Sequence, residues 1–129
     1  MELTIGIRGT AKTVVTEENT AKSAGSGMLK VFGTPYMIAL MEKSACEAVA
    51  PYLDEGWATV GTRVEVSHLA SSPLGMTVTA EAEVVEIDRR RLRFAVKATD
   101  ENGVTIGEGF HERFVINMER FLEKANAKT

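Results

Sequence analysis

Cysteine occurs once in the 129 residues, at Cys46, so no intrachain disulfide can form and the usage suits a reducing compartment. An excess of positive charge is also missing. Fifteen Lys and Arg stand against eighteen Asp and Glu, a net charge of −3, which provides no general field to gather nucleic acid. Apolar runs such as Pro35 to Met41 are far shorter than the ~18 residues a membrane-spanning helix needs, so no membrane role is expected. The opening residues, Met1-Glu2-Leu3-Thr4, lack the basic-then-apolar pattern of a secretory signal, and with the lone cysteine this points to the cytoplasm. Internal repeats, low-complexity tracts and linkers are absent. No spacing of His, Cys and carboxylates identifies a metal cage, so neither metal nor cofactor is expected. Gly25-Ser26-Gly27 lacks the Lys and Ser or Thr of a phosphate-binding P-loop, which argues against a nucleotide triphosphatase. What is present, 44% hydrophobic and 26% charged residues, describes an ordinary globular chain, and one domain over residues 1–129 is expected.

Alternation of Leu3, Ile5, Ile7, Gly9 and Ala11 with polar neighbours predicts a first strand over residues 3–15. Thr16-Glu17-Glu18 opens a short helical turn, which Ser23-Ala24-Gly25-Ser26-Gly27 breaks into a loop. A helix is predicted over 35–50. Thr34 can cap it, Pro35 fits its first position and Pro51 stops it. Met37, Leu40, Met41, Ala45, Ala48 and Val49 give this helix a broad apolar surface, with a narrow polar strip at Lys43, Ser44 and Glu47, so it should be largely enclosed. Four alternating segments follow, near 58–70, 75–88, 91–101 and 104–117, joined by Ser72-Pro73-Leu74-Gly75, Asp88-Arg89-Arg90 and Asn102-Gly103. Such short links imply antiparallel neighbours. The tail from Asn117 to Lys124 can add a helical turn or two.

One strand, one enclosed helix and four antiparallel strands predict an α+β architecture in which a curved sheet wraps the helix, the arrangement of the hot-dog fold. A ferredoxin-like packing would need a second full helix between strands, and none is found. At this length a single sheet with one helix leaves edges and a face unprotected, so a homodimer is expected.

Glu42 breaks the pattern of the helix. Its neighbours three and four positions away are Ile38, Ala39, Ala45 and Cys46, so a carboxylate is directed toward the core, unless it lies at the edge of that face and extends its tip into water. His68 shares strand parity with Val60, Thr62, Val64 and Val66, which points its imidazole inward, as a hydrogen-bonded core group or as a reactive one. Two inward titratable groups on elements expected to pack together can act jointly, the carboxylate orienting an imidazole that activates water or a hydroxyl against an acyl carbon. Thr34 sits where free backbone N–H groups and the positive helix end can stabilise an oxyanion, or it is simply the N-cap.

The segments Phe32-Gly33-Thr34-Pro35-Tyr36-Met37-Ile38-Ala39-Leu40-Met41-Glu42 and Ala48-Val49-Ala50-Pro51-Tyr52-Leu53 resemble the hot-dog thioesterases related to fluoroacetyl-coenzyme A thioesterase. The likeness continues through Val60-Gly61-Thr62, Val66-Ser67-His68, Ser72-Pro73-Leu74-Gly75-Met76-Thr77-Val78 and Gly109-Phe110-His111-Glu112-Arg113, covering residues 31 to about 120. The resemblance implies a catalytic set of Thr34, Glu42 and His68, a substrate site that includes Gly61 and Arg113, and hydrolysis of a small acyl-CoA at a pocket between two subunits. The specialised member of the family carries aromatic residues in the loop before the helix, which help close over the fluorinated acyl group. Here that loop reads Ser23-Ala24-Gly25-Ser26-Gly27-Met28, without an aromatic, so fluoroacetyl specificity is not implied. Two other functions remain open on the same fold, a noncatalytic acyl-CoA binding or sensing dimer and an enoyl-CoA hydratase.

Other features receive plainer readings. Arg89-Arg90-Arg91 with Arg93 is a solvated turn or a contact for the phosphates of coenzyme A. Cys46 packs in the apolar helix face, where a thiolate is disfavoured. His111 alternates with Gly107, Gly109 and Arg113, opposite Ile106, Phe110 and Phe114, and is expected at the surface or an interface; Trp57 is expected to anchor packing.

Overall fold

A computed structural model describes residues 1–129. Five strands, β1 (Arg8–Val14), β2 (Trp57–His68), β3 (Thr77–Asp88), β4 (Arg91–Asp100) and β5 (Thr105–Asn117), form one antiparallel sheet in the order β1-β3-β4-β5-β2. Three helices accompany it: α1 (Ala21–Ala24), α2 (Thr34–Val49) and α3 (Met118–Asn126). The sheet curls around α2, as the hot-dog arrangement requires. The buried face of α2, with Met37, Leu40, Met41, Ala45, Ala48 and Val49, meets Val78, Ala80, Ala82 and Val84 of β3 and Leu92, Phe94, Val96 and Ala98 of β4 in a single core. No helix is long and apolar enough to cross a membrane.

The first strand starts later than its alternation suggests, because Gly6 takes a positive φ of 98° and turns the chain before β1. Ser44, read as part of a polar strip, is buried, its hydroxyl donating to the Met41 carbonyl at 2.6 Å. The helix can come that close because β1 presents Gly9 to it; a Cβ there would run into the backbone of Ser44 and Ala48. Gly9→Ala is therefore expected to lower folding stability by about 1–3 kcal/mol. Chemical denaturation checks this, and an unchanged midpoint would contradict the close approach.

A bulge in β2 and the choice of inner face in β5 set the site. In β2 a bulge falls at Thr62, between the pairs Gly61↔Arg113 and Arg63↔Glu112. Thr59 and Gly61 therefore face the interior before it, while Val64, Val66 and His68 do so after it, and the expected inward placement of Val60 and Thr62 is corrected. In β5 the inner face carries Gly107, His111, Arg113 and Val115, all buried, while Phe110 and Phe114 point outward, each 41% exposed. The assignment of His111 to the surface is thus reversed. Gly107 lies so close to Met37 of α2 that a side chain would collide with its sulfur, which explains why the inner face of this strand carries glycine where an apolar residue would be expected.

The helix covers β1 and β3 far more than β4 and β2. As a result β2, a twelve-residue edge strand, leaves Gly61, Thr62, Arg63, Val64 and Glu65 exposed. A long open edge of this kind is a template for pairing with another strand.

Candidate active site

Thr34 does not cap α2. Gly33 is the N-cap residue, in an extended conformation, with Thr34 and Pro35 in the first helical turn. The hydroxyl freed from capping lies 2.8 Å from Nδ1 of His68, which ends β2. Nε2 of His68 is buried without a hydrogen-bond partner. Burial holds the His68 pKa below the usual histidine value, opposed in part by the backbone of Ala70. A neutral imidazole accepts at one nitrogen only, so a base at Nδ1 takes the Thr34 O–H as donor. A cavity of about 310 Å³ opens at this pair, walled by Ala21, Ser26, Val31, Phe32 and residues 69–71. The segment between Ala21 and Phe32 thus borders the pocket.

Glu42 belongs to a different group of side chains. It lies eight residues beyond Thr34 on α2, about 12 Å along the axis. Its Oε2 accepts from Nη1 of Arg113 at 3.2 Å and lies 3.9 Å from Nε2 of His111. Arg113 is fixed on every side: Nε donates to the Thr59 hydroxyl at 2.8 Å, Nη2 to the Thr59 carbonyl at 3.0 Å, and Nη1 also approaches Nε2 of His111 at 3.0 Å. A guanidinium can only donate, so Nε2 of His111 is the acceptor, and its Nδ1–H donates to the Arg63 carbonyl at 2.7 Å. Burial first, and the charge of Arg113 further, lower the His111 pKa and favour this neutral form; the Arg63 backbone, Glu42 and Glu112 act in the opposite direction. Gly61 faces the same cluster. A Cβ there would stand 2.7 Å from Glu42 Oε2 and 3.3 Å from Arg113 Nη1, so only glycine leaves the carboxylate its space.

The structure thus brings Thr34 to His68, and Glu42 to Gly61 and Arg113, but the two groups do not touch within one chain. Along β2 they are separated by the seven steps from Gly61 to His68, roughly 23 Å of strand. Glu42 is 39% exposed at its side chain, with its second oxygen free of protein partners. Sequence reasoning missed His111. The signal available was its alternation with Arg113 on a strand whose glycines mark the helix-facing side.

Residues 15–119 match the family model of fluoroacetyl-CoA-specific thioesterases. The chain belongs to this family. A fluoroacetyl-CoA thioesterase from Streptantibioticus cattleyicolor is 46% identical over 101 residues, which are 78% of this chain and 71% of that protein. The solved structure of the fluoroacetyl-CoA thioesterase FlK superposes with a TM-score of 0.92 at 37% identity, over 100% of this chain and 99% of that one. A variant of FlK solved in complex with acetyl-CoA gives 0.90 at 37% identity, covering 98% and 99%. The fluoroacetyl-CoA thioesterase family is thus matched across nearly the whole fold, over a range in which both groups of side chains lie.

Proposed function

We propose that the protein is an acyl-CoA thioesterase, hydrolysing a small acyl-CoA to free acid and CoA with Thr34, Glu42 and His68 as its reactive groups, at sites that two copies of the chain build together. The observation that carries this reading is the Thr34–His68 hydrogen bond at the mouth of a cavity, made by a threonine that does not cap its helix. Family membership supplies the thioester chemistry; the side chains supply the roles.

Pairing of the open β2 edges about a two-fold axis unites the two groups. Residues directly opposite one another in an antiparallel pair share a sheet face, so the axis must pass at a residue and not between two. An axis at Val64 places like apolar side chains together and sets Arg63 of one protomer against Glu65 of the partner subunit. Because the bulge at Thr62 shifts the pairing by one residue, this axis lays His68 beside Thr59 of the partner subunit, on the inward face that also carries its Gly61 and borders its Arg113 and Glu42. An axis at Glu65 would instead oppose two identical carboxylates, which is less favourable. Exposed Val64, Leu69, Met28 and Leu29 lie in the region that such pairing would cover.

In the resulting site, His68 takes the Thr34 hydroxyl proton as the Thr34 oxygen attacks the thioester carbonyl, and passes it to the CoA sulfur as the C–S bond breaks, leaving the acyl group as an ester on Thr34. Glu42 of the partner subunit, anchored through one oxygen by Arg113, uses the other to take a proton from the water that attacks this ester; the C–O bond to Thr34 breaks, the Thr34 oxygen regains a proton and the free acid leaves. Gly61 leaves room for that carboxylate and for the substrate. Pro35 has no N–H and those of Tyr36 and Met37 donate to the Gly33 carbonyl, so the N–H of Thr34 is the one donor in this turn left for the developing oxyanion.

Fluoroacetate selectivity is not part of this proposal, because the loop from Ser23 to Met28 offers small side chains where a closing aromatic would be needed. A panel of short, halogenated, branched and aromatic acyl-CoA thioesters, read by release of free thiol, tests the reading. The expected result is turnover of short acyl chains with no strong preference for fluorine. Tight binding of acyl-CoA without thiol release across the panel would contradict it in favour of a binding protein, and water addition to an enoyl thioester without thiol release would indicate a hydratase.

A further inference from the structure

The arginines of the β3–β4 turn do not act as one cluster. Arg91 is paired with Glu86, Asp88 and Glu112, and Arg93 with Glu112 and Glu65. Arg90 has no carboxylate partner; its guanidinium lies 4.8 Å from the ring centre of Trp57. It forms one wall of a cleft of about 220 Å³ whose other side is α3. That helix turns Arg120, Phe121 and Lys124 toward the cleft, in line with its N-cap Asn117 at the i, i+3, i+4, i+7 spacing of one helical face, while its acidic residues Glu119 and Glu123 do not line it. Arg120 and Lys124 are likewise free of ion pairs, whereas Arg8, Arg63, Arg91, Arg93 and Arg113 are each held by a carboxylate. Phe114 and Phe121, 41% and 42% exposed, supply aromatic faces between these cations.

Three unpaired cations, no lining carboxylate and two open aromatic faces on a protein of net charge −3 form a local exception to its electrostatics. Cations of this kind suit phosphate oxygens, and the rings suit a purine. The position relates the cleft to the reaction: Phe114 pairs with Val60, next to Gly61, and the four residues back to Trp57 are about 13 Å of strand. The extended pantetheine arm of coenzyme A spans such a distance.

We infer that the cleft between the β3–β4 turn and α3 binds the phosphorylated adenosine end of coenzyme A, with Arg90, Arg120 and Lys124 on its phosphates and Phe114 and Phe121 against the adenine. This inference rests on the thioesterase reading and names the part of the substrate that the reacting groups do not touch. Binding energy collected there holds the thioester at the reactive groups without itself taking part in the chemistry.

The test uses the double variant Arg120→Ala/Lys124→Ala, in which only exposed side chains of α3 change, so the fold is not at risk. Two readouts are taken on the intact protein. In the first, kcat/KM is measured for an acyl-CoA and for the matching acyl-pantetheine, which lacks the nucleotide. The preference for the CoA ester is expected to fall about tenfold or more in the variant, chiefly through KM. In the second, calorimetry compares binding of CoA, adenosine 3′,5′-bisphosphate and inorganic phosphate. The bisphosphate is expected to bind more tightly than inorganic phosphate and to lose about tenfold in the variant. A preference kept within about twofold, or equal binding by variant and wild type, would overturn the inference. If the wild-type protein cleaves neither ester, the thioesterase reading fails separately, and the calorimetric comparison alone decides the cleft.

Discussion

His68→Ala lowers kcat by a factor of about 100 to 10,000, the range that loss of a positioned general base produces. The loss falls mainly on kcat, because the proton leaves the Thr34 hydroxyl only as the transition state forms. The wild-type pH profile carries the same signature. A base must be unprotonated to work, and burial disfavours the His68 cation, so the neutral form persists to lower pH than in a free histidine. Activity is therefore expected to fall with acid only below the ordinary value of 6.5, and this limb should vanish from the residual rate of the alanine variant. The corresponding stability effect has the same sign. The unfolded chain binds the proton before the folded one, so the part of the stability due to neutral His68 and His111 is complete above 6.5 and declines as the pH falls toward their lowered folded values. A kcat acid limb centred well above 6.5 would contradict the assignment.

Glu42→Gln gives a loss of similar size, about 100- to 10,000-fold in kcat, with the fold retained. The amide keeps the shape and can still accept from Arg113, so the substitution removes basicity and little else. Thermal unfolding should show a shift much smaller than a cavity-forming change produces, since the side chain is 39% exposed and lies at the edge of the core. Single-turnover hydrolysis in isotopically labelled water separates the ways in which a carboxylate can serve. A base acting on water places the label in the released acid during the first turnover. Label found first in the Glu42 carboxylate would mean direct attack through an anhydride. Full activity in Glu42→Gln would remove Glu42 from the chemistry altogether.

Much of this was legible along the chain, for reasons that differ from element to element. The limits of α2 follow from Pro35 and Pro51, whose missing N–H and fixed φ act locally, and the β3–β4 and β4–β5 pairings follow from the tight turns at Asp88-Arg89-Arg90 and Asn102-Gly103. The expected pairing across Ser72-Pro73-Leu74-Gly75 is corrected: that longer link lets the chain cross from β2 at one edge of the sheet to β3, which pairs with β1 and β4. Thr34, Glu42 and His68 stood out because each breaks or punctuates a local pattern. The bulge at Thr62 did not, since one inserted residue leaves the composition of a strand unchanged while exchanging its faces. The faces of β5 were misread for a related reason: hydropathy assigned Phe110 and Phe114 to the interior, whereas the closeness of Met37 admits only glycine at 107 and leaves the rings outside. The partnership of Glu42 with Arg113 joins residues 71 positions apart, and no local signal carries that information.

The account depends most on the site being shared between two chains. Mixing homodimers of Glu42→Gln with homodimers of His68→Ala, after unfolding and refolding together, tests this directly. In a shared site, each hybrid dimer pairs the intact His68 of one chain with the intact Glu42 of the other and so regains one of its two sites. Half of the dimers are hybrids, so activity should return to about a quarter of the wild-type level. A site confined to single chains leaves every hybrid site defective, and activity no higher than that of the two variants measured separately would contradict the proposal.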